Sequence, residues 1–236
     1  MEGLLLGKRV LDRKFYLQDT LCCARSLVGT YLAIFSQPVT AQQIRLDQDG
    51  FIVQTSCLPD YTLSRIVEVE AYLGKADKAA HSWRGDRNGR CKVMYDIGGK
   101  IYVYFIYGMY YCFNIVAADL DVPHAILIRA AEPVFGLSQM IDRRKAKSPL
   151  TPKAQRKLLA GPGKLCQHLG IDASFYGEDL CSLQENHPTR VLVLADPHAP
   201  SCDVLATPRI HIDYAQEARD FPYRFVDPHS PSLSQS

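Results

Sequence analysis

A mixed α/β (α+β) domain is the fold class this chain predicts, and three observations predict it. Strand-like and helix-like runs intersperse without the strict alternation of a doubly wound sheet. The stretch 101–118 carries no charge across 18 residues, holds five tyrosines and turns around Gly108, which reads as a β-hairpin. With 236 residues, 47% of them hydrophobic, the chain is long enough to bury a core and too apolar for disorder.

Each element follows from a local pattern. Asp19 or Thr20 can cap a helix that places Leu21, Ala24, Leu27 and Val28 at helical spacing before Gly29. Residues 30–35 read as a strand. The stretch 36–62 is mixed and polar, with turn signals at Pro38, Asp49-Gly50 and Pro59 around a strand at 51–53. The clearest strand is 65–73, whose alternation sends Val67, Val69, Ala71 and Leu73 to one face and Ile66, Glu68, Glu70 and Tyr72 to the other. A loop rich in Gly, Arg and Lys covers 74–99. Beyond the hairpin, 125–128 is a short buried strand ending at Arg129, and helices are expected over 135–146 and 152–159. Pro162 suits the first position of another helix, ending at Gly170. Strands are expected at 190–195, 209–212 and 223–226. A single domain spans 1–226, and the Pro/Ser-rich tail 227–236 is expected to fray.

Net charge is only +2, but it is unevenly placed: residues 84–164 hold 14 Lys+Arg against 6 Asp+Glu. A basic face opposite an acidic one is the footprint of a polyanion partner; solvated helix faces would give the same numbers. Eight cysteines contain no C-x-x-C pair, and seven histidines lack ligand spacing, so no metal is expected. Leu4-Leu5-Leu6 is far shorter than a signal core, which leaves reduced thiols in a cytoplasmic or nuclear protein that is not secreted. Five phenols and an amide within 101–118 are poor bilayer-core residues, so no membrane span is expected.

Several side chains could carry chemistry. A carboxylate near an aromatic on an anchored strand suits a general base, because the strand fixes its direction; Glu68 or Glu70 beside Tyr72 fits, though a solvated strand face would look the same. Tyr107 sits at the hairpin tip, where a large aromatic needs a cover or a role such as a wedge between base steps. Arg129, ending an apolar strand, requires an anionic partner. Lys164 lies in the first turn of a helix, where free amides favour an anion; an idle surface lysine is the alternative.

The strings IVEVEAYLG (66–74), AAHS (79–82), YVYFIYGMY (102–110) and LIRAAEP (127–133) resemble the alkyladenine (3-methyladenine) DNA glycosylase family. Further on, GPGKLCQ (161–167), PRIHI (208–212) and YRF (223–225) fit it too, in the same order, so the similarity runs from about 15 to about 226. The resemblance implies one compact domain with a mainly antiparallel sheet, flanking helices and a protruding β-hairpin. It implies no cofactor, a monomer, and a partner in double-stranded DNA containing damaged purines. Glu70 then activates water for attack at the sugar C1′, with Arg129 and the Ile210 carbonyl holding that water. Tyr72, His81, Tyr104 and Asn114 form the pocket for the flipped base; Tyr107 enters the gap in the duplex; Met109, Tyr110, Arg144 and Lys164 contact DNA. The implied activity is hydrolysis of the N-glycosidic bond of alkylated purines (3-methyladenine, 7-methylguanine, and as an extension hypoxanthine and ethenoadenine), leaving an abasic site.

Two departures accompany the match. Where the family has Thr-x-Arg-Asn, this chain reads Asn88-Gly89-Arg90-Cys91, and the stretch 36–62 is longer than usual. No lysine lies near Glu70 in the strand, which argues against a Schiff-base lyase step. The competing class is a non-catalytic damaged-DNA-binding module, which would have no use for Glu70 and Arg129 together. A helix-hairpin-helix element at 158–164 is a third reading, at odds with the strands upstream.

Overall fold

The computed structural model describes residues 2–143, 150–200 and 202–234. Its strands are β1 (Arg9–Val10), β2 (Tyr31–Val39), β3 (Ile44–Leu46), β4 (Ile52–Thr55), β5 (Tyr61–Tyr72), β6 (Ile101–Ile106), β7 (Tyr110–Val116), β8 (Ala125–Phe135), β9 (Thr189–Ala195), β10 (Leu205–Thr207) and β11 (Arg224–Val226). The α-helices are α1 (Arg13–Tyr16), α2 (Thr20–Leu27), α3 (Leu137–Arg143), α4 (Pro152–Arg156) and α5 (Pro162–Leu169). One sheet runs β1-β9-β2-β5-β8-β7-β6, with β11 added to β5 and β10 to β11. Every pairing among these strands is antiparallel, as the α+β expectation requires.

Local chemistry accounts for the helices that cover this sheet. Asp19 caps α2, its Oδ1 accepting from the Leu21 and Cys22 amides at 3.0 Å each. Pro162 occupies the first turn of α5, and Gly170 ends it in the left-handed conformation at φ +72°. Cys23, Ala24 and Leu27 of α2, Met140 of α3, and Leu165, Cys166 and Leu169 of α5 pack onto one face of the sheet, with Ile66, Val69, Phe113 and Ile128 beneath them. The opposite face has its own core, in which Phe35, Leu63, Leu192 and Leu194 meet Ile44 and Ile52. Those last two belong to the β3–β4 pair, so the long 36–62 stretch closes a second core. Pro38 is no turn: it lies inside β2, in the bulged stretch between Ile34 and Val39, where no ladder bond to β9 is needed.

Strand β5 is central, and its alternation is broken. Ile66 and Glu68 face consecutive residues Ala131 and Ala130 of β8, so Val67 is an extra residue. Glu68 and Val69 then face Ala130 and Ile128, so Arg129 is an extra residue on β8. These bulges re-aim side chains. Ile66, expected beside the two glutamates, instead joins the α-helix-covered core with Val69 and Ala71. Nor does the strand present a solvated face, since Glu68 and Glu70 are fully buried. Rather than ending at Arg129, β8 bends there and continues to Phe135, which delays α3 to Leu137.

Two other expectations change. Residues 209–212 are irregular, with His211 at φ +61°, and the strand forms upstream as β10. The segment after β11 is packed through Ser234. The Asp227 amide donates to the carbonyl of bulged Val67 at 2.9 Å, Ser230 Oγ donates to Glu132 at 2.6 Å, and Ser232 is buried. The hairpin is as expected. Met109 N–H donates back to the Ile106 carbonyl at 3.3 Å, and Tyr107 and Gly108 both take positive φ (+54° and +67°), a type I′ geometry.

Candidate active site

Arg129, re-aimed by its bulge, reaches two carboxylates at once. Its Nη1 donates to Glu70 Oε2 at 3.1 Å and its Nε to Glu68 Oε1 at 3.2 Å. Burial works against the Arg129 charge, but Glu70 and Glu68 outweigh it and hold the guanidinium above its ordinary pKa. Glu70 Oε2 also accepts from the Tyr72 hydroxyl at 2.7 Å, and Oε1 accepts from the Ile210 amide at 3.0 Å. The contact from Ile210 is thus made through its N–H. Burial, then the Glu70 charge, push the Tyr72 phenol well above its usual pKa, so it stays a donor.

The segment bearing Ile210 is held by a second buried ion pair. Arg209 chelates Asp77, Nη1 to Oδ2 at 2.5 Å and Nη2 to Oδ1 at 2.8 Å, with both side chains fully buried. Asp77 also accepts from the Leu73 and Ala79 amides at 3.1 and 3.0 Å, tying the end of β5 to the loop that bears His81. The Arg209 guanidinium lies 4.7 Å from the Tyr72 ring centroid. Neither residue stood out in the sequence beyond Arg209's place in the PRIHI string, because their link spans 132 positions.

Beside Tyr72 opens a cavity lined by His81, Tyr102, Tyr104, Asn114, Met94 and Tyr214 among others. The predicted pocket residues Tyr72, His81, Tyr104 and Asn114 are therefore brought together, and Glu70 sits behind the Tyr72 wall. His81 packs edge-on to Tyr104 with centroids 4.6 Å apart, and its Nδ1 is hydrogen-bonded to the Tyr102 hydroxyl at 2.9 Å. Burial and then Arg90 push the His81 pKa down to about 4, so the ring is neutral near pH 7. Asn114 lies across the β6–β7 ladder from Tyr102 and donates through Nδ2 to the Tyr102 and Cys112 carbonyls at 2.9 and 3.3 Å, which fixes the amide's orientation. Tyr102 could have been found from its i, i+2 relation to Tyr104. Tyr214, 68% exposed at the rim on an irregular segment, had no periodic signal.

The cavity mouth is basic. A shallow concavity that shares His81, Ala79 and Tyr214 with it is also lined by Lys78, Trp83, Arg84 and Arg90. Arg87, in the out-of-register Arg-Asn pair, is instead ion-paired to Asp121. Tyr107 is 78% exposed at the hairpin tip, with Met109 exposed beside it. Tyr110 lies against α5: a Cβ at Gly163 would come within 2.8 Å of its ring, so only glycine permits this approach. Lys164 follows, exposed, so Tyr107, Met109, Tyr110 and Lys164 share one end of the molecule. The remaining predicted DNA contact, Arg144, lies outside the described residues. Among the described residues, no helix is long and apolar enough to cross a membrane.

The model of a family described as methylpurine-DNA glycosylase matches residues 50–231, most of the chain and all of the elements that build this site. The chain belongs to that family. Three curated relatives bear the name "Putative 3-methyladenine DNA glycosylase". One from Bacillus cereus (strain G9842) is 46% identical over 94% of this chain and 97% of its own length. Relatives from Desulfitobacterium hafniense (strain Y51) and Clostridium novyi (strain NT) are 42% and 38% identical, over 91% and 95% of this chain and 93% and 98% of their own. Membership makes the protein a hydrolytic DNA N-glycosylase of base-excision repair. In this methylpurine-DNA glycosylase, the acid, the arginine and the aromatic cavity come from four different strands and from the loops around His81 and Tyr214, fixed by buried charge on both sides.

Two outcomes follow from this geometry. Asp77→Asn leaves Arg209 charged and poorly compensated in the interior, which should cost about 3–5 kcal/mol, read as a lowered urea midpoint. An NMR titration should place the His81 midpoint near about 4, not near the roughly 6.5 of a free imidazole. Because that folded-state value lies below the unfolded one, the stability His81 contributes is present above pH ~6.5 and is lost as pH falls toward 4.

Proposed function

We propose that this glycosylase acts as a monomer on double-stranded DNA, rotates an alkylated purine into the cavity beside Tyr72 and hydrolyses its N-glycosidic bond, leaving an abasic site. The observation that carries this reading is a buried carboxylate, Glu70, accepting from Ile210 N–H, Arg129 and Tyr72, the last of which lines the tyrosine-rich cavity. Of its two oxygens, Oε2 takes two donors and Oε1 one, so Oε1 retains capacity for a water proton. Glu70 then removes that proton as water attacks C1′, while its negative charge stabilises the oxocarbenium-like transition state. Arg129 and the Ile210 carbonyl hold the water.

Lesion choice follows from charge and hydrogen bonding. Alkylation at N3 or N7 makes the purine cationic, a better leaving group and a better partner for the faces of Tyr72 and Tyr104. A neutral His81 imposes no repulsion on it. In the tautomer with its proton on Nε2, Nδ1 accepts from the Tyr102 hydroxyl and Nε2 supplies a donor to the base edge. Asn114, immobilised by two carbonyls, stands where it rejects the exocyclic amine of unmodified guanine. Tyr107 enters the space the base vacates, which offsets the few kcal/mol of unstacking. The substrates are 3-methyladenine and 7-methylguanine, extended to hypoxanthine and ethenoadenine. The site of action is the cytoplasm, at the nucleoid.

Single-turnover assays on labelled duplexes carrying each of these four lesions test the proposal. Glu70→Gln keeps the shape and removes the base, so excision should fall by ~10² or more with binding of damaged duplex retained; normal cleavage would overturn the mechanism. Tyr107→Ala should weaken binding to the flipped state and slow excision, and unchanged values would reject the wedge. Wild-type protein that bound the lesions and left the DNA intact would mark a damage-binding module instead.

A further inference from the structure

The catalytic arginine has a second carboxylate, and that carboxylate is held by a segment far away in sequence. Glu68 is fully buried and accepts from Arg129, from Arg224 Nε at 2.8 Å, from the Ser234 amide at 2.7 Å and from Ser234 Oγ at 2.8 Å. We propose that Glu68, capped by Ser234, is a positioning residue: it fixes the Arg129 guanidinium across Glu70, so the C-terminal segment sets the rate of base excision from outside the pocket. This rests on the glycosylase reading and adds a residue to it.

Charge balance supports the assignment. Facing Glu68 are Arg129 from β8 and Arg224 from β11, with Glu70 on its own strand reached through Arg129. Two carboxylates thus meet two guanidiniums in a dry region. Held by Glu68 through Nε and by Glu70 through Nη1, the planar guanidinium has its plane and its reach both fixed. Were Glu68 to take up a proton, it would release one of these anchors, and Arg129 could follow Glu70 away from the position the water requires. Burial favours such protonation; the Ser234 amide and Arg224 oppose it and win, keeping the Glu68 pKa below its ordinary value. The path of the segment agrees with this role, since Asp227, Ser230 and Ser232 each anchor it to the sheet or to α4 before it reaches Glu68.

Ser234→Pro removes both donors and Ser234→Ala only the hydroxyl. Single-turnover excision of 7-methylguanine from a duplex, followed from acid to neutral pH, is the measurement, with duplex affinity and thermal midpoint recorded for each variant. Ser234→Pro should slow excision about ten- to a hundredfold at the acidic end, as expected for a displaced catalytic group, with the deficit shrinking as pH rises and Glu68 ionises again. Ser234→Ala should show the same trend at smaller size, with affinity unchanged in both. In a Glu68→Gln background, already slowed at every pH, Ser234→Pro should add nothing. A deficit independent of pH, or full additivity with Glu68→Gln, overturns the inference and leaves the glycosylase reading intact. A wild-type protein that releases no base overturns both.

Discussion

The bridge that Arg129 makes between Glu68 and Glu70 is the constraint on which the rest of the site depends. A buried ion pair is weak evidence for stability, because well-packed apolar residues of the same volume often do as well or better. What charges supply here is direction. Glu70 is fully buried, and the donors from Tyr72, Arg129 and Ile210 fix the direction of both its oxygens. The pleat alone puts Glu68 and Glu70 on one side of the sheet; the bulges at Val67 and Arg129 move Ile66 off that side into the helix-covered core and make Arg129 an unpaired extra residue between the two acids' strand partners. The open Val67 carbonyl is then taken by Asp227, so the bulge is sealed by the same segment that caps Glu68.

On the other side of Glu70, the Asp77–Arg209 pair does for a loop what the ladder does for a strand. The stretch around Ile210 has no regular hydrogen bonding, and its neighbour His211 sits in left-handed space, yet the Ile210 amide must stay within 3.0 Å of Glu70. A bidentate, fully buried ion pair beside it provides that rigidity. The hairpin tip is the opposite case. Tyr107 adopts a positive φ that a bulky residue avoids, at a cost on the order of 1–3 kcal/mol, and stands in solvent with nothing packed over it. Strain and exposure together make sense for a side chain whose partner is another molecule.

What could be read from the sequence was whatever has a short period. Alternation located β5, and tyrosines around a glycine located β6 and β7. Asp19 and Gly170 marked helix ends. Alternation failed at Ile66 because a bulge is a property of two strands in register, and neither strand's own sequence records it. Residues 209–212 have the composition of a strand, but Arg209 is drawn inward to a carboxylate 132 positions away, which prevents pairing. The tail looked frayed from its proline and serine content, although Ser230, Ser232 and Ser234 each have a specific acceptor, and Ser234 meets Glu68 across 166 positions. The pattern of strand 65–73 and its neighbour offered Glu68, Glu70 and Arg129, and family resemblance gave Glu70 and Arg129 their roles and added Tyr104 and Asn114; the part Glu68 plays with Asp77, Arg209 and Arg224 in a supporting ring emerges only from the structure.

Electrostatics therefore acts twice in this molecule, in two different dielectric settings. Lys78, Arg84, Arg90 and Lys164 lie at or near the surface, where their attraction for phosphates is long-ranged, non-specific and screened within about 8 Å at physiological ionic strength. The cluster around Glu70 is shielded from salt by burial and interacts only with what enters the cavity. Between the two lies a wall of phenols and a neutral imidazole, which in the proposed mechanism a cationic base passes favourably and from which a neutral, well-stacked base gains little. In the mechanism proposed above, discrimination accumulates in sequence: surface charge brings the DNA, weakened stacking lets the damaged base leave the helix, the aromatic wall retains it for its charge, and Glu70 acts on the bond that the same charge has weakened.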